Sequence, residues 1–125
     1  GPAVGVGVTL LPHCDIAYAY GGKCTADDAG GGSGGGGAAG RQVRPSSSTD
    51  GNAATFWTPF LRLAIVPEFC SSVLFPEILG WSLANEMLVL GRKLSADEAL
   101  SAGLVSTVLR ADTEEEFFAK VSRNL

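Results

Sequence analysis

The sequence predicts an α/β fold, because short apolar runs of strand type alternate with segments that carry helix start and stop signals. Two of these signals are capping boxes, Ser95–Glu98 and Thr113–Glu116, in which a hydroxyl residue precedes a glutamate by three positions. The chain of 125 residues is long enough for one domain with a core and too short for two.

The first part of the chain predicts a turn, a helix and two strands. Gly1–Pro2 indicates the turn, and the apolar run after it predicts a helix over Val6–Cys14. The runs Ile16–Tyr20 and Ala54–Trp57 have the length and composition of β-strands, and Pro59 ends the second strand.

The second part of the chain is mainly helical. Proline cannot continue a helix, and glycine commonly follows the last helical residue. On these grounds five elements are predicted: a helix over Phe69–Leu74 that Pro76 ends, a helix over Ser82–Leu90, a helix from the first capping box to Ala102, a strand over Leu104–Leu109, and a helix from the second capping box to Leu125.

Residues Gly21–Asn52 differ in composition from the rest of the chain. They include Gly30–Gly40, where glycine dominates, and then a polar stretch rich in serine and arginine. Such a segment buries too little apolar surface to offset the entropy of ordering it, which predicts a flexible insertion in one domain over residues 1–125. A phosphate-binding loop is not indicated, because no Gly-Lys-Ser/Thr follows the glycines.

Charge and cysteine content argue against several classes of function. The net charge of −4 disfavours nucleic acid and anionic membranes as partners, and the longest apolar run is too short to cross a bilayer. Cys14, Cys24 and Cys70 are odd in number and lack C-x-x-C spacing, so neither a zinc site nor a disulfide framework is predicted. We expect Cys14 and Cys70 to be small core residues and His13 to be a helix cap or a surface group.

The glycine-rich stretch Gly1–Gly7 leads directly into the first predicted helix. Small residues let another molecule approach the backbone, and the first N–H groups of a helix have no acceptor within it. Such groups stabilise negative charge on a phosphate or on a developing enolate oxygen. Glycines at a helix start are also common packing contacts, so this stretch alone leaves both interpretations open.

Glu68 follows Pro67 and has apolar sequence neighbours, among them Ile65, Val66 and Phe69. A carboxyl group that is partly removed from water among apolar side chains suits proton transfer near neutral pH. A carboxylate in this position also suits the start of the helix that is predicted from Phe69. Local chemistry leaves the acid–base role and the capping role equally open.

Several stretches, in a fixed order, resemble the crotonase (enoyl-CoA hydratase/isomerase) superfamily. They are GPAVGVG, CDIAYA, ATFWTPF, VPEFCSS, FPEILG and LANEMLVLGRKLSADEALSAGLVSTV. Within the superfamily the chain is most similar to the peroxisomal-type 3-enoyl-CoA to 2-enoyl-CoA isomerases. The resemblance implies a spiral core of β-β-α turns, of which this chain would be an incomplete part without the front half.

The resemblance also implies an oxyanion site in the glycine-rich stretch. The backbone N–H of Val6 would be one of two donors to the thioester oxygen, and Gly5 and Gly7 would contact the substrate beside it. In the family the second donor belongs to a segment before Gly1. Because the chain starts at a turn and ends in a predicted helix, both ends look cut, and such a fragment alone is expected to be inactive.

Glu68 matches the single acid–base residue of the peroxisomal-type isomerases. The two positions at which hydratases carry catalytic glutamates hold Thr9 and Phe60 here, so hydration in the usual two-glutamate manner is disfavoured. Phe60 is also a candidate substrate contact. The implied activity is isomerisation of 3-enoyl-CoA to 2-enoyl-CoA in the oxidation of unsaturated fatty acids, with an acyl-CoA substrate and no cofactor or metal.

Other implications concern assembly, location and an alternative function. The resemblance implies a trimer or hexamer and a peroxisomal location, with the mitochondrion as the alternative, although no targeting signal is visible. Chromodomain-Y-like corepressors carry a similar domain that mainly binds CoA and assembles, and the position of Glu68 tends to hold a different acid there. A CoA-binding domain without catalysis is therefore the second interpretation.

Overall fold

A computed structural model describes residues 1–23 and 53–125. The strands are β1 (Pro2–Val4), β2 (Tyr18–Tyr20), β3 (Thr55–Trp57), β4 (Leu94–Ser95) and β5 (Thr107–Leu109). The helices are α1 (Val6–Thr9), a 3-10 turn (Leu11–His13), α2 (Phe60–Leu63), α3 (Ser71–Leu79), α4 (Trp81–Leu88), α5 (Ala96–Ala102) and α6 (Glu114–Asn124). The predicted α/β class is confirmed.

The strands form two small sheets, each containing a parallel pair. In the first sheet β1 lies parallel to β3, with Val4 opposite Trp57, and β4 runs antiparallel along the other edge of β3. In the second sheet β2 lies parallel to β5, with Tyr20 opposite Leu109. Parallel pairing needs a crossover connection between strands, so it joins parts of the chain that are distant in sequence.

Apolar side chains from both described parts of the chain meet in one core. Helix α3 packs against α4, and both sheets lie against the same cluster. Its fully buried members include Val8, Phe60, Phe75, Ala84, Met87, Leu94 and Ala99. Burial of one large apolar side chain stabilises a fold by roughly 1.5–3 kcal/mol, so this cluster holds α1, α3 and β4 in place. No helix in the described part of the chain is long and apolar enough to span a membrane.

The predicted helix over Val6–Cys14 is interrupted in the structure. It consists of one α-helical turn, α1, followed by the 3-10 turn. Pro12 has no N–H to donate to the carbonyl of Val8, so an α-helix cannot continue through it undisturbed. The predicted turn at Gly1–Pro2 is wrong, because Pro2 begins β1 and the chain turns at Gly5.

The helix predicted over Phe69–Leu74 begins and ends later than expected. It spans Ser71–Leu79 as α3 and contains Pro76, so the prediction that this proline ends it is wrong. Within α3 the proline costs mainly the hydrogen bond that its N–H would donate to Ser72. The single-turn helix α2 is too short to give a periodic pattern, and the sequence does not predict it.

The capping boxes differ in how fully they form. At Ser95 both hydrogen bonds of the box are present, and Gly103 ends α5 with φ 83° as predicted. At Thr113 the hydroxyl accepts from the N–H of Glu116, whereas the Glu116 carboxylate accepts from the N–H of Asp112, one residue earlier. A hydrogen bond from Lys120, followed by that of Asp112, lowers the pKa of Glu116 from its ordinary value.

The first residues of the predicted insertion belong to the folded part of the chain. Gly21 and Gly22 are buried, and the N–H of Gly21 donates to the carbonyl of Leu109 at 2.9 Å. The N–H of Ala54 donates to the carbonyl of Tyr20 at 2.8 Å, so the two ends of the segment meet. The glycine- and serine-rich remainder lies outside the described residues.

Arg92 links α4 to α5 through two carboxylates. Its guanidinium donates to Glu86 and, at 2.9 Å, to Glu98, whose side chain is 8% exposed. Glu98 also accepts from the N–H of Ser95 at 2.8 Å, as the capping box requires. The hydrogen bond to Glu86 is the main cause that raises the pKa of Arg92, so the guanidinium keeps its charge.

We expect Arg92→Met to lower the free energy of unfolding by about 1–3 kcal/mol, because it removes the cationic partner of a nearly buried carboxylate. Urea denaturation measures the change. Arg123→Met is the matched control, since Arg123 is exposed on α6 and its loss is expected to cost less than about 0.5 kcal/mol. Equal effects of the two substitutions would contradict the assigned role of Arg92.

Candidate active site

The turn between β1 and α1 is built on Gly5. This residue has φ 58° and ψ −120°, which residues with a Cβ rarely adopt. Its N–H donates to the carbonyl of Trp57 at 2.9 Å, and its carbonyl accepts from Val8 and Thr9 at 2.9 and 3.1 Å. Because hydrogen bonds hold the turn on both sides, the direction of the following N–H groups is set.

The N–H groups of Val6 and Gly7 come directly after this turn. As the first residues of a helix they have no acceptor within it, and no acceptor elsewhere in residues 1–23 or 53–125 is paired with them. A methyl group added at Gly7 would have no neighbour within 4 Å. The predicted oxyanion donor, Val6 N–H, therefore lies at an open surface between Gly5 and Gly7.

The rest of α1 anchors this donor in the core. Val8 and Thr9 are fully buried, and the Thr9 hydroxyl lies 3.5 Å from the carbonyl of Val6. Since α1 has a single turn, it supplies local N–H groups and only a small fraction of the dipole of a long helix. Thr9 occupies a position where the resemblance implies a glutamate in hydratases, and a buried hydroxyl cannot replace that acid.

Glu68 lies in an exposed segment that leads into α3. The two residues after it, Phe69 and Cys70, both have φ 56°. This left-handed conformation costs roughly 1–2 kcal/mol for each residue other than glycine. The fully buried Ser71 donates to the carbonyl of Glu68 from its N–H at 3.0 Å and from its hydroxyl at 2.6 Å. The backbone of Glu68 is thus anchored, while its side chain is exposed.

The apolar surroundings predicted for Glu68 do not form within the described residues. Of the apolar residues expected around Glu68, Ile65, Val66 and Phe69 are themselves exposed, Val66 to 80%, and Leu74 is half-buried. A side chain next to these residues is not removed from water by them. The expected desolvation of Glu68 would therefore need a surface other than its own sequence neighbours.

The predictions for the two cysteines, Cys14 and Cys70, and for Phe60 have different outcomes. Cys14 and Cys70 are exposed, so the prediction that both are core residues is wrong; their apolar sequence neighbours Ile16 and Phe69 are exposed as well. Phe60 is 1% exposed and belongs to the core cluster. Its position is explained by packing, and a contact between Phe60 and the substrate stays a prediction.

His13 connects the two halves of the candidate site. Its Nε2 lies 2.9 Å from the carbonyl oxygen of Phe69, and its ring meets the Phe69 ring edge to face with centroids 4.9 Å apart. The 3-10 turn that carries His13 also packs against α3. The surface position predicted for His13 is confirmed, but the contact with Phe69 is not predicted because 56 residues separate the partners.

The arrangement offers a backbone donor for negative charge and a carboxylate for proton transfer. The donor is the Val6 N–H at the start of α1, and the carboxylate is that of Glu68, whose segment His13 contacts through Phe69. Among residues 1–23 and 53–125, no three His, Cys, Asp or Glu side chains form a cluster that could hold a metal ion. A backbone donor and a carboxylate are the two kinds of group that proton transfer at an enolate uses.

Comparison with known proteins assigns the class of this chain. Residues 45–125 match the family model of enoyl-CoA hydratase/isomerase. The chain therefore belongs to the enoyl-CoA hydratase/isomerase family, and the resemblance found in its sequence is confirmed.

Two curated relatives represent the two functional interpretations. Chromodomain Y-like protein 2 of Homo sapiens is 40% identical over 108 residues, which are 86% of this chain and 15% of that protein. Peroxisomal enoyl-CoA delta isomerase 3 of Mus musculus is 36% identical over 115 residues, which are 92% of this chain and 26% of that protein. The chain thus spans about a quarter or less of the length of these relatives.

Solved structures match the fold over nearly the whole chain. An enoyl-CoA hydratase/isomerase from Pseudoalteromonas atlantica T6c is 34% identical with a TM-score of 0.66, covering 99% of this chain and 38% of that one. An enoyl-CoA hydratase from Mycobacterium tuberculosis H37Rv is 27% identical with a TM-score of 0.64, covering 99% of this chain and 42% of that one. The chain has the fold of a part of that domain, as predicted.

We expect Gly5→Ala to lower the free energy of unfolding by about 1–3 kcal/mol, because alanine must adopt a backbone conformation that is open mainly to glycine. Gly7→Ala is the matched control: Gly7 lies in the same turn of helix, faces open space and has an ordinary φ. Thermal or urea unfolding of the two variants measures the difference. A loss at Gly7 as large as that at Gly5 would show that the backbone of Gly5 is not the cause.

Proposed function

We propose that the full-length protein isomerises 3-enoyl-CoA to 2-enoyl-CoA, with Glu68 as the single acid–base residue. One observation carries the proposal: the segment after the Val6 donor contacts the turn that carries Glu68, through His13 and Phe69. Thr9 and Phe60, both buried, stand where the resemblance implies the two glutamates of hydratases. A site with one carboxylate suits a reaction that moves a proton between two carbons of the same substrate.

The proposed mechanism has two proton transfers. The Glu68 carboxylate removes a proton from the carbon between the thioester carbonyl and the double bond, and the electrons move onto the carbonyl oxygen to form a dienolate. The N–H of Val6 donates to that oxygen. Glu68 then returns the proton two carbons further along the chain, which leaves the double bond conjugated with the carbonyl and the carboxylate regenerated.

The Val6 N–H and the Glu68 carboxylate would each increase the rate of isomerisation, and typical values for such groups indicate by how much. One oxyanion donor is typically worth about 10²–10³ in rate, and a positioned general base about 10²–10⁴. The backbone donor survives every substitution at Val6 except proline, which has no N–H, whereas replacing one carboxylate oxygen of Glu68 removes the base. Substitution of Glu68 is therefore the sharper test of the proposed activity.

A second candidate function is CoA-ester binding without turnover. The identity of 40% to chromodomain Y-like protein 2 favours it, and so does the exposure of Glu68 within the described residues. A binding domain would use the Val6 donor for the thioester carbonyl and would not depend on Glu68. Turnover of a 3-enoyl-CoA by the full-length protein separates the two candidates.

The proposed function includes a location and an assembly. The mouse relative whose name includes the word peroxisomal supports a peroxisomal role in the oxidation of unsaturated fatty acids. Exposed large apolar side chains, among them Leu61, Val66 and Trp81, at 66, 80 and 71% exposure, support contact with further protein surface, as in a trimer or hexamer. No cofactor takes part in this proposal, since the CoA thioester is the substrate.

We expect Glu68→Gln in the full-length protein to lower kcat for 3-enoyl-CoA isomerisation by about 10²–10⁴-fold, because the amide cannot accept and return the proton. Binding of the CoA ester should change little, since the two side chains have the same shape. Formation of the conjugated thioester, followed by its ultraviolet absorbance, and calorimetric titration of the CoA ester measure the two quantities.

Glu77→Gln is the matched control for this substitution. Glu77 is exposed on α3, nine residues after Glu68, and has no part in the proposed reaction. Its activity should equal that of the parent protein. Full activity of Glu68→Gln would refute the role of Glu68, whereas tight CoA-ester binding by an inactive parent protein would favour the second candidate.

A further inference from the structure

The consecutive backbone carbonyls of Glu68 and Phe69 are each hydrogen-bonded to a different element of the fold. Ser71 donates to the carbonyl of Glu68 from the start of α3, with its hydroxyl at 2.6 Å. His13 Nε2 lies 2.9 Å from the carbonyl of Phe69 and approaches from the 3-10 turn. A carbonyl oxygen only accepts, so this nitrogen carries the proton. Both peptide planes that follow Glu68 are thereby fixed in orientation.

This segment needs external contacts because its backbone is unfavourable by itself. Phe69 and Cys70 are left-handed in succession, and a bulky residue such as phenylalanine rarely takes this conformation. Such conformations persist where the surrounding structure imposes them, and they cluster at functional sites. The edge-to-face contact between the rings of His13 and Phe69 adds a second attachment at the same point.

His13, which contacts Phe69, follows the oxyanion donor Val6 by seven residues in the chain. From Val6 to His13 the chain is one turn of α-helix followed by the 3-10 turn, and Val8 and Thr9 anchor this run in the core. A displacement of Phe69 relative to His13 therefore moves the segment of Glu68 relative to the segment that carries the Val6 N–H. The contact links the two segments.

We propose that His13 is a positioning residue for Glu68, which it places by holding the carbonyl and the ring of Phe69. The inference rests on the proposed function, because it assigns a role within the isomerase site. His13 does not serve as the base, since its Nε2 is engaged by the backbone and Glu68 moves the proton.

Two substitutions of His13 in the full-length protein test the proposal. His13→Leu removes the donor, and kcat for 3-enoyl-CoA isomerisation is expected to fall about 10- to 100-fold with KM changed less than about twofold, because a misplaced base slows the chemical step. His13→Gln offers an amide N–H at a similar reach and should recover most of that loss. Cys14→Ser, at the neighbouring exposed residue, is the matched control and should keep the parent kcat.

Hydrogen exchange gives a readout that does not depend on turnover. The amides of residues 69–73 should exchange faster in His13→Leu than in the parent protein or in His13→Gln, while α4 stays unchanged. In the Glu68→Gln background His13→Leu should cause no further loss of rate, since positioning matters only when the base is present.

The outcomes separate the inference from the function on which it rests. An active parent protein with an equally active His13→Leu variant would overturn the positioning role, and so would unchanged exchange at residues 69–73. Loss of kcat in both His13→Leu and His13→Gln, without rescue, would also overturn it. A parent protein with no turnover would refute the proposed isomerase activity itself, and the positioning role with it.

Discussion

The parallel pairing of β1 with β3 is the constraint on which the candidate site depends. It sets Val4 opposite Trp57, so the next N–H along the chain, that of Gly5, meets the Trp57 carbonyl at 2.9 Å. Trp57 is itself held, because the cationic groups of Arg62 and Lys93 lie 5.4 and 4.7 Å from its ring centroid. The chain must reverse at Gly5 with a conformation that glycine tolerates, and the direction of α1 and its first N–H groups follows from that reversal.

The turn after Glu68 shows which forces hold the other half of the site. Two left-handed residues cost roughly 2–4 kcal/mol together, whereas the three hydrogen bonds from Ser71 and His13 contribute about 0.5–1.5 kcal/mol each. The hydrogen bonds and the strain are therefore of similar size. The fully buried Phe75 fixes α3, which carries Ser71, in the core. Hydrogen bonds and packing together thus maintain a backbone after Glu68 that local preferences disfavour.

The sequence predicts the elements whose signals are local and misses the contacts whose partners are distant. The capping box at Ser95 and the glycine end of α5 form as predicted, because all their partners lie within a few residues. The helix past Pro76 and the exposure of Cys70 depend on how α3 packs, which no local pattern contains. The family resemblance names Val6 and Glu68, and the contact that joins their segments is visible only in the fold, because it spans 56 residues.

The strained turn bears on the choice between the two candidate functions. Both would use the Val6 N–H to hold a thioester carbonyl, and a domain that only binds CoA esters gains nothing from a fixed backbone at Glu68. An isomerase does gain, because one carboxylate must reach two carbons of a bound substrate while its backbone stays still. In the structure Ser71 anchors the Glu68 backbone in this way. A costly conformation that persists next to a candidate base therefore supports the proposed catalysis.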